Sequence, residues 1–149
     1  MEQPQYIVDA FTDAVFSGNP AAVCPLDDWL PDATMAAIAR ENNLSETAFI
    51  IGARGAYAIR WFTPSMEVDL CGHATLASAF VVFNYLEPNR TAVSFQSPSG
   101  PLRVEGRGDR LVLDFPARPG DVVECPPALV EGLGVSPLVT FLSRDYLVI

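Results

Sequence analysis

Short runs of β-branched, aromatic and aliphatic residues recur along the chain, and turn-forming residues separate most of them. This pattern predicts β-strands rather than long helices. The best hairpin joins two runs of alternating character through the turn residues 106–109. The predicted strands are Tyr6–Thr12, Ala21–Cys24, Thr47–Ile51, Ala56–Thr63, Ala92–Gln96, Leu102–Glu105, Arg110–Phe115 and Tyr146–Ile149.

Two shorter segments have helical patterns. The first begins at Pro31-Asp32 and continues through ATMAAIAREN, which resembles a capped helix start. The second, Pro126–Leu133, closes at Gly134. The candidate buried face of the first helix consists of Ala36, Ile38 and Ala39.

A third helical segment, Gly72–Leu86, differs from the others because residues 74–83 carry no charge and are apolar on every side. Such a helix is expected to be buried all round. One central helix wrapped by a curved antiparallel or mixed sheet satisfies both patterns, so we predict a barrel-like α+β fold. A parallel βαβ arrangement fits less well, because only this helix is long and strongly apolar. With no repeat or linker, residues 1–149 are expected to form one domain.

Charge and hydropathy limit the classes of partner that the chain is expected to bind. Eighteen acidic and nine basic residues give a net charge of -9, which argues against binding to nucleic acid or anionic lipid. The chain has no apolar run long enough to cross a bilayer, and its N-terminus lacks the pattern of a secretion signal. We therefore expect a cytoplasmic protein whose partners are small molecules or proteins.

Cysteine and histidine usage predicts no metal. Cys24, Cys71 and Cys125 are widely spaced and odd in number, which favours neither a disulfide framework nor a zinc site. His73 is the single histidine, so a three-ligand site would have to borrow scattered carboxylates.

Candidate chemistry lies at the start of the central helix, residues 71–75, which we call the opening of the helix. The first backbone N–H groups of a helix have no intrahelical partners, and the helix dipole makes them attractive to an anion. Gly72 leaves the approach open for a carboxylate.

Three ordered segments resemble a known family. They are Asp9-Ala-Phe-Thr with Ser17-Gly-Asn-Pro-Ala-Ala-Val, then residues 41–49, then residues 60–75. In order and spacing they resemble the PhzF-like family of phenazine biosynthesis, and more distantly the diaminopimelate epimerase fold. The resemblance implies a barrel-like sheet around a central helix in cofactor-independent proteins that move a proton between carbons. In the best-understood members this is an isomerisation of a dihydro-hydroxyanthranilate.

The family resembles a tandem of two such domains with the active site in the cleft between them. The chain corresponds to the N-terminal domain, so we expect the C-terminal domain to be absent, together with an acidic residue and a glycine-rich anion-binding segment. The chain alone is then expected to have little isomerase activity and to form a homodimer through its uncovered face.

The resemblance makes Glu46 the candidate general acid/base, at a loop-to-strand transition beside apolar residues. From the residues alone, an exposed glutamate or a helix-capping group is favoured, and the resemblance reverses that preference. His73 is a candidate substrate-orienting donor or proton relay, or else a structural residue. Asp69 could hold His73 in one tautomer or cap backbone N–H groups.

Polar contacts to a substrate carboxylate are expected from Asn19, Ser45 and Thr75, with Gly72 as a backbone contact. Asn19 could instead only shape a turn. The aromatic residues expected in the core rather than in the site are Phe11, Trp61, Phe62 and Phe80.

Two other functions remain open. In the epimerase branch a pair of thiols acts on opposite faces of a carbon, and Cys71 resembles the first of them. Its place near a helix N-terminus would favour thiolate. However, His73 stands where the epimerase motif has asparagine, which favours a small buried cysteine. A non-catalytic binding or assembly protein is the third possibility.

Overall fold

The computed structural model describes residues 3–143 and the backbone of residues 147–148. The chain divides between Phe115 and Pro116 into two compact units. Every candidate site residue lies in the larger, N-terminal unit. The single domain expected from the sequence stays a prediction. Within the described residues, no helix has the length and apolar character needed to cross a membrane.

Eight strands of the larger unit form one mixed sheet with the order β1-β2-β3-β4-β6-β7-β8, and β5 pairs with β4. The pairs β2/β3 and β4/β6 are parallel, and the other pairs are antiparallel. The strands are β1 Tyr6–Ala10, β2 Asn19–Leu26, β3 Glu46–Ala53, β4 Ala56–Phe62, β5 Glu67–Val68, β6 Ala92–Ser97, β7 Gly100–Arg107 and β8 Arg110–Asp114.

Two helices of this unit provide the parallel crossovers. Helix α1, Asp32–Asn42, connects β2 to β3, and helix α2, Gly72–Val81, lies between β5 and β6. Helix α2 continues as a π-helical turn, Val82–Leu86. It contacts both terminal strands of the sheet, β1 and β8, as well as β2 and β3. The sheet therefore curls around α2 as a half-barrel, which confirms the predicted fold class.

The middle strands are covered on both faces. Side chains alternate across a strand, so Ala48 and Ile50 of β3 face α2 while Phe49 faces α1. The inner cluster around α2 includes Trp61. The outer cluster under α1 contains the buried side chains of Cys24, Leu26, Met35, Ala39, Phe49 and Phe62.

In the described part of the smaller unit there are three strands and one helix. Strands β9, Asp121–Val123, β10, Thr140–Leu142, and β11, Leu147–Val148, form an antiparallel sheet in the order β11-β10-β9. Helix α3 spans Pro127–Leu133. Of the predicted terminal strand, residues 147–148 are confirmed, and the ends at 146 and 149 lie outside the described residues.

The strand predictions are confirmed in position, with shifts of one or a few residues at the ends, and the hairpin forms between β7 and β8. Its turn contains Gly108 at a φ of +64°, a left-handed conformation that glycine adopts without strain. Three strands were missed, namely β5, β9 and β10, because each has only two or three residues.

Two predictions about burial are wrong. Phe80 is 39% exposed, because the half-barrel leaves one side of α2 uncovered. Phe11 is 71% exposed, because β1 ends at Ala10 and Phe11 follows in a left-handed turn conformation at a φ of 64°. On α1, the fully buried residues are Met35 and Ala39, whereas the predicted Ala36 and Ile38 are only partly buried.

Candidate functional site

Three chemically active side chains meet where the start of β3 approaches the start of α2. Glu46 is the first residue of β3, and it pairs in register with Ala21 of the parallel neighbour β2. Cys71 is the extended residue that precedes α2, and His73 is the second residue of the helix. The fold thus brings a carboxylate, a thiol and an imidazole to the opening of α2.

The distances between these groups are short. Oε2 of Glu46 lies 3.4 Å from Nε2 of His73. Nδ1 of His73 lies 3.4 Å from Sγ of Cys71. The His73 side chain is 8% exposed and that of Glu46 is 20% exposed, so Glu46 forms the accessible side of the cluster.

His73 has an imidazole suited to remain neutral. Burial lowers its pKa from the ordinary value, and the negative charge of Glu46 and the Pro20 carbonyl act in the opposite direction. Among the described residues, Nε2 makes no hydrogen bond of good geometry. A neutral ring has one nitrogen that donates and one that accepts, so His73 can serve as a donor or as an acceptor.

Cys71 is buried, as the sequence favoured, and its thiol is neutral although it lies near a helix N-terminus. Burial raises the pKa of Cys71 to about 12, and the charge of Glu46 adds to this rise. The backbone N–H groups of Ala74 and His73 stabilise the thiolate but do not outweigh burial. The N–H groups of the first turn of α2 therefore already interact with the Cys71 sulfur. An anion bound at the opening of α2 would compete with that sulfur for these N–H groups.

Thr75 and Gly72 complete the opening. The Thr75 hydroxyl is fully buried and donates to the carbonyl of Cys71 at 2.5 Å. A β-carbon on Gly72 would meet the Phe115 ring at 3.8 Å, an ordinary contact, so a larger side chain would press on that ring. The substrate contacts expected of both residues remain predictions.

Asn19 and Ser45 lie at the same end of the sheet as Glu46. Asn19 begins β2 and Ser45 immediately precedes β3, and the two strands are parallel. The Ser45 hydroxyl donates to Oδ1 of Asn19 at 3.5 Å. The structure thus brings both predicted polar residues to the strand ends beside Glu46.

Asp69 is exposed, and its carbonyl accepts a hydrogen bond from the Ser99 hydroxyl at 2.8 Å. The two ring nitrogens of His73 face Cys71 and Glu46 instead. A role for Asp69 in holding the His73 tautomer remains a prediction.

A family model described as phenazine biosynthesis-like protein (PhzC-PhzF) matches residues 8–121, most of the chain. The chain belongs to this family. A curated relative from Pseudomonas aeruginosa, named an uncharacterized isomerase, is 51% identical over 149 residues. The match covers 100% of this chain and 58% of that relative. The chain thus spans somewhat more than half the length of this relative.

Solved structures agree with the PhzF-like assignment. A PhzF-family protein from Enterococcus faecalis superimposes with a TM-score of 0.87 at 50% identity, covering 99% of this chain and 56% of that one. A predicted epimerase from P. aeruginosa superimposes with a TM-score of 0.76 at 21% identity, covering 95% of this chain and 56% of that one. The second likeness is one of fold alone, and it supports the more distant resemblance to the epimerase fold.

Sequence reasoning missed two neighbours in this PhzF-like site. The Pro20 carbonyl acts on the His73 ring, and the Phe115 ring lies beside Gly72. Pro20 lies in the quoted segment 17–23, where the pattern indicated only a turn. Nothing in the sequence pattern connects Phe115 to the opening of α2, because their contact depends on how the sheet curls.

Proposed function

We propose that this chain carries the acid/base half of a cofactor-independent isomerase, in which Glu46 moves a proton between two carbons of a small carboxylate-bearing metabolite. The observation that supports it most is the placement of the Glu46 carboxylate. It is the accessible member of a buried cluster, and its Oε2 lies 3.4 Å from Nε2 of a histidine that burial keeps neutral.

In the proposed reaction, the Glu46 carboxylate removes a proton from one carbon of the substrate and becomes a carboxylic acid. The electron pair of the broken C–H bond passes into the adjoining unsaturated system. Glu46 then returns its proton to a second carbon, so the double bonds shift and the carboxylate is regenerated. Atoms and electrons balance without a cofactor, since the product is an isomer of the substrate.

His73 is suited to a supporting role in this scheme. A neutral ring next to Glu46 can donate a hydrogen bond to the carboxylate or to the substrate without forming a permanent ion pair. A charged imidazolium would hold Glu46 as a carboxylate and weaken it as a base. The burial that lowers the pKa of His73 therefore favours proton exchange at Glu46.

The substrate carboxylate is expected to bind at the strand ends and the opening of α2. Asn19 and Ser45 provide an amide and a hydroxyl there, and the start of α2 contributes a positive helix dipole. A small carboxylate held by these groups would present its neighbouring carbons to Glu46.

The remaining groups of the reaction are expected from a second half of the kind that the relatives possess, since the chain covers 58% of the P. aeruginosa relative. A site shared between halves loses its positioning when one half is missing. We therefore expect the chain alone to turn over little substrate and to associate as a homodimer.

The experiment compares the chain with a two-domain version that carries the second half of the P. aeruginosa relative. Both are incubated in deuterated buffer with a panel of small unsaturated carboxylates that includes a dihydro-hydroxyanthranilate. Mass spectrometry measures deuterium in the recovered compounds, and chromatography measures new isomers. The proposal predicts an isomer from the two-domain protein and much less from the chain, and it fails if a proven monomer of the chain turns over as fast.

A further inference from the structure

The cluster at the opening of α2 contains all three types of ligand by which proteins bind zinc, namely sulfur, nitrogen and oxygen. Glu46 offers a carboxylate oxygen, Cys71 a sulfur and His73 a ring nitrogen, and one such atom from each residue lies within 4.8 Å of the other two. The sequence predicted no metal, because the cysteines are widely spaced and a three-ligand site would have to borrow scattered carboxylates. The fold removes that objection by bringing the start of β3 to the start of α2.

The spacing of the donors suits a tetrahedral ion. Zinc binds nitrogen and oxygen at about 2.0–2.2 Å and sulfur at about 2.3 Å, which places neighbouring ligands roughly 3.3–3.7 Å apart. Glu46 and Cys71 each already lie 3.4 Å from a nitrogen of the His73 ring. Only one ring nitrogen can bind the same ion, so one of these contacts lengthens when the metal enters. Because one donor atom from each residue lies within 4.8 Å of the other two, the donors have to approach one another by roughly 1 Å to occupy three corners of a tetrahedron, with the fourth left open.

A second observation concerns the hydrogen bonding of the His73 ring nitrogen that faces Glu46. Nε2 of His73 is buried, faces Glu46, and has no hydrogen bond of good geometry within the described residues. The side chain is 8% exposed, so more than nine-tenths of it is buried. A buried polar nitrogen without a hydrogen bond costs free energy that a bound ion would recover.

From these observations we propose that Glu46, Cys71 and His73 form a zinc-binding site at the opening of α2. On binding, the Cys71 S–H bond breaks, its proton passes to solvent, and the thiolate sulfur forms the bond to zinc. The N–H groups of Ala74 and His73, which act on this sulfur, stabilise the bound thiolate. The partly exposed Glu46 carboxylate provides the route from solvent.

Zinc at this position would bind the same carboxylate that the proposed isomerase uses to move a proton. Bound zinc is therefore expected to inhibit the isomerase. That inhibition rests on the proposed function, whereas zinc binding itself does not. A spectroscopic test of binding by the chain therefore separates the two, because it requires neither substrate nor turnover.

Cobalt serves as a visible substitute for zinc in this test. Co²⁺ titrated into the chain is expected to produce a near-ultraviolet thiolate-to-cobalt band, which Zn²⁺ then abolishes. Cys71→Ser should remove the band and weaken Zn²⁺ binding about tenfold or more, as measured by competition with a chromophoric chelator. His73→Gln should weaken Zn²⁺ binding to a similar degree. The matched controls, Cys24→Ser and Cys125→Ser, should keep both the band and the affinity.

Circular dichroism establishes that each variant is folded. If Cys71→Ser does not fold, NMR of the unaltered chain decides: stoichiometric Zn²⁺ should shift the ring signals of His73, the single histidine. The proposal is overturned if excess Co²⁺ gives no thiolate band, if folded Cys71→Ser binds Zn²⁺ as tightly as the unaltered chain, or if Zn²⁺ leaves the His73 ring signals unchanged.

Discussion

Two buried cysteines allow the opening of α2 to be compared with the outer cluster under α1. Burial raises the pKa of both Cys24 and Cys71 to about 12. Cys24 lies among apolar neighbours and donates to Oε1 of Gln5 at 3.4 Å, whereas Cys71 faces His73 and Glu46. Burial alone therefore does not make a reactive site, and the polar groups around the sulfur make the difference.

The two regions also differ in how they are filled. The outer cluster contains large side chains such as Met35, Phe49 and Phe62, and the rings of the two phenylalanines meet edge to face at 5.6 Å. The first turns of α2 instead bury small residues and the polar His73 and Thr75. We expect the outer cluster to contribute mainly stability and the opening of α2 to contribute chemistry.

The largest effect on stability is expected in the outer cluster. Phe49→Ala removes a fully buried ring and leaves a cavity, so the free energy of unfolding should fall by about 3–5 kcal/mol. Urea denaturation measures the change, with the exposed α1 residue Glu41 as control, since Glu41→Gln should stay within about 0.5 kcal/mol. A loss below about 1 kcal/mol in Phe49→Ala would contradict the expectation that the outer cluster contributes mainly stability.

An intermediate effect is expected from exchanging either buried thiol for a hydroxyl. Cys24→Ser and Cys71→Ser each bury a more polar group, so each should lower the free energy of unfolding by about 1–3 kcal/mol. Urea denaturation of both variants tests this expectation. Equal losses would show that burial acts alike in both regions, whereas a gain in Cys71→Ser would show that its surroundings are polar enough to favour a hydroxyl.

The smallest effect is expected from the pH dependence that His73 adds. The unfolded chain binds a proton at histidine below about pH 6.5, whereas burial keeps the folded ring neutral to lower pH. The free energy of unfolding should therefore fall as the pH drops from 6.5 towards the folded pKa, and His73→Gln should lack this part of the decline. Because His73 is the single histidine, its NMR titration reports the pKa directly, and a value above 6.5 would contradict the account.

Hydropathy patterns predicted the fold class because the charge-free segment 74–83 requires a covering sheet. They could not predict which side of α2 stays open, so Phe80 was placed in the core. The exposure of Phe11 was missed for a similar reason. The end of a strand and a left-handed turn depend on backbone conformation, which hydropathy does not report.

The site was predicted less completely than the fold. Glu46 and His73 were singled out from motif resemblance, and the structure places them in contact. For Cys71 the sequence favoured a small buried cysteine over a thiolate, and the structure buries it, so that desolvation outweighs the effect of the helix N-terminus. The closeness of all three groups depends on long-range packing of β3 against α2, which local sequence does not encode.

The most direct test of the central proposal compares turnover in two variants of the two-domain version. Glu46→Gln keeps the size of the side chain but removes the base, so turnover should fall by about two to four orders of magnitude. Cys71→Ser should lose far less, and the control Glu41→Gln should lose nothing measurable. Substrate turnover and solvent deuterium incorporation are measured for all three, with circular dichroism to establish folding. Unchanged turnover in Glu46→Gln, or a larger loss in Cys71→Ser, would contradict the account and favour the two-thiol mechanism.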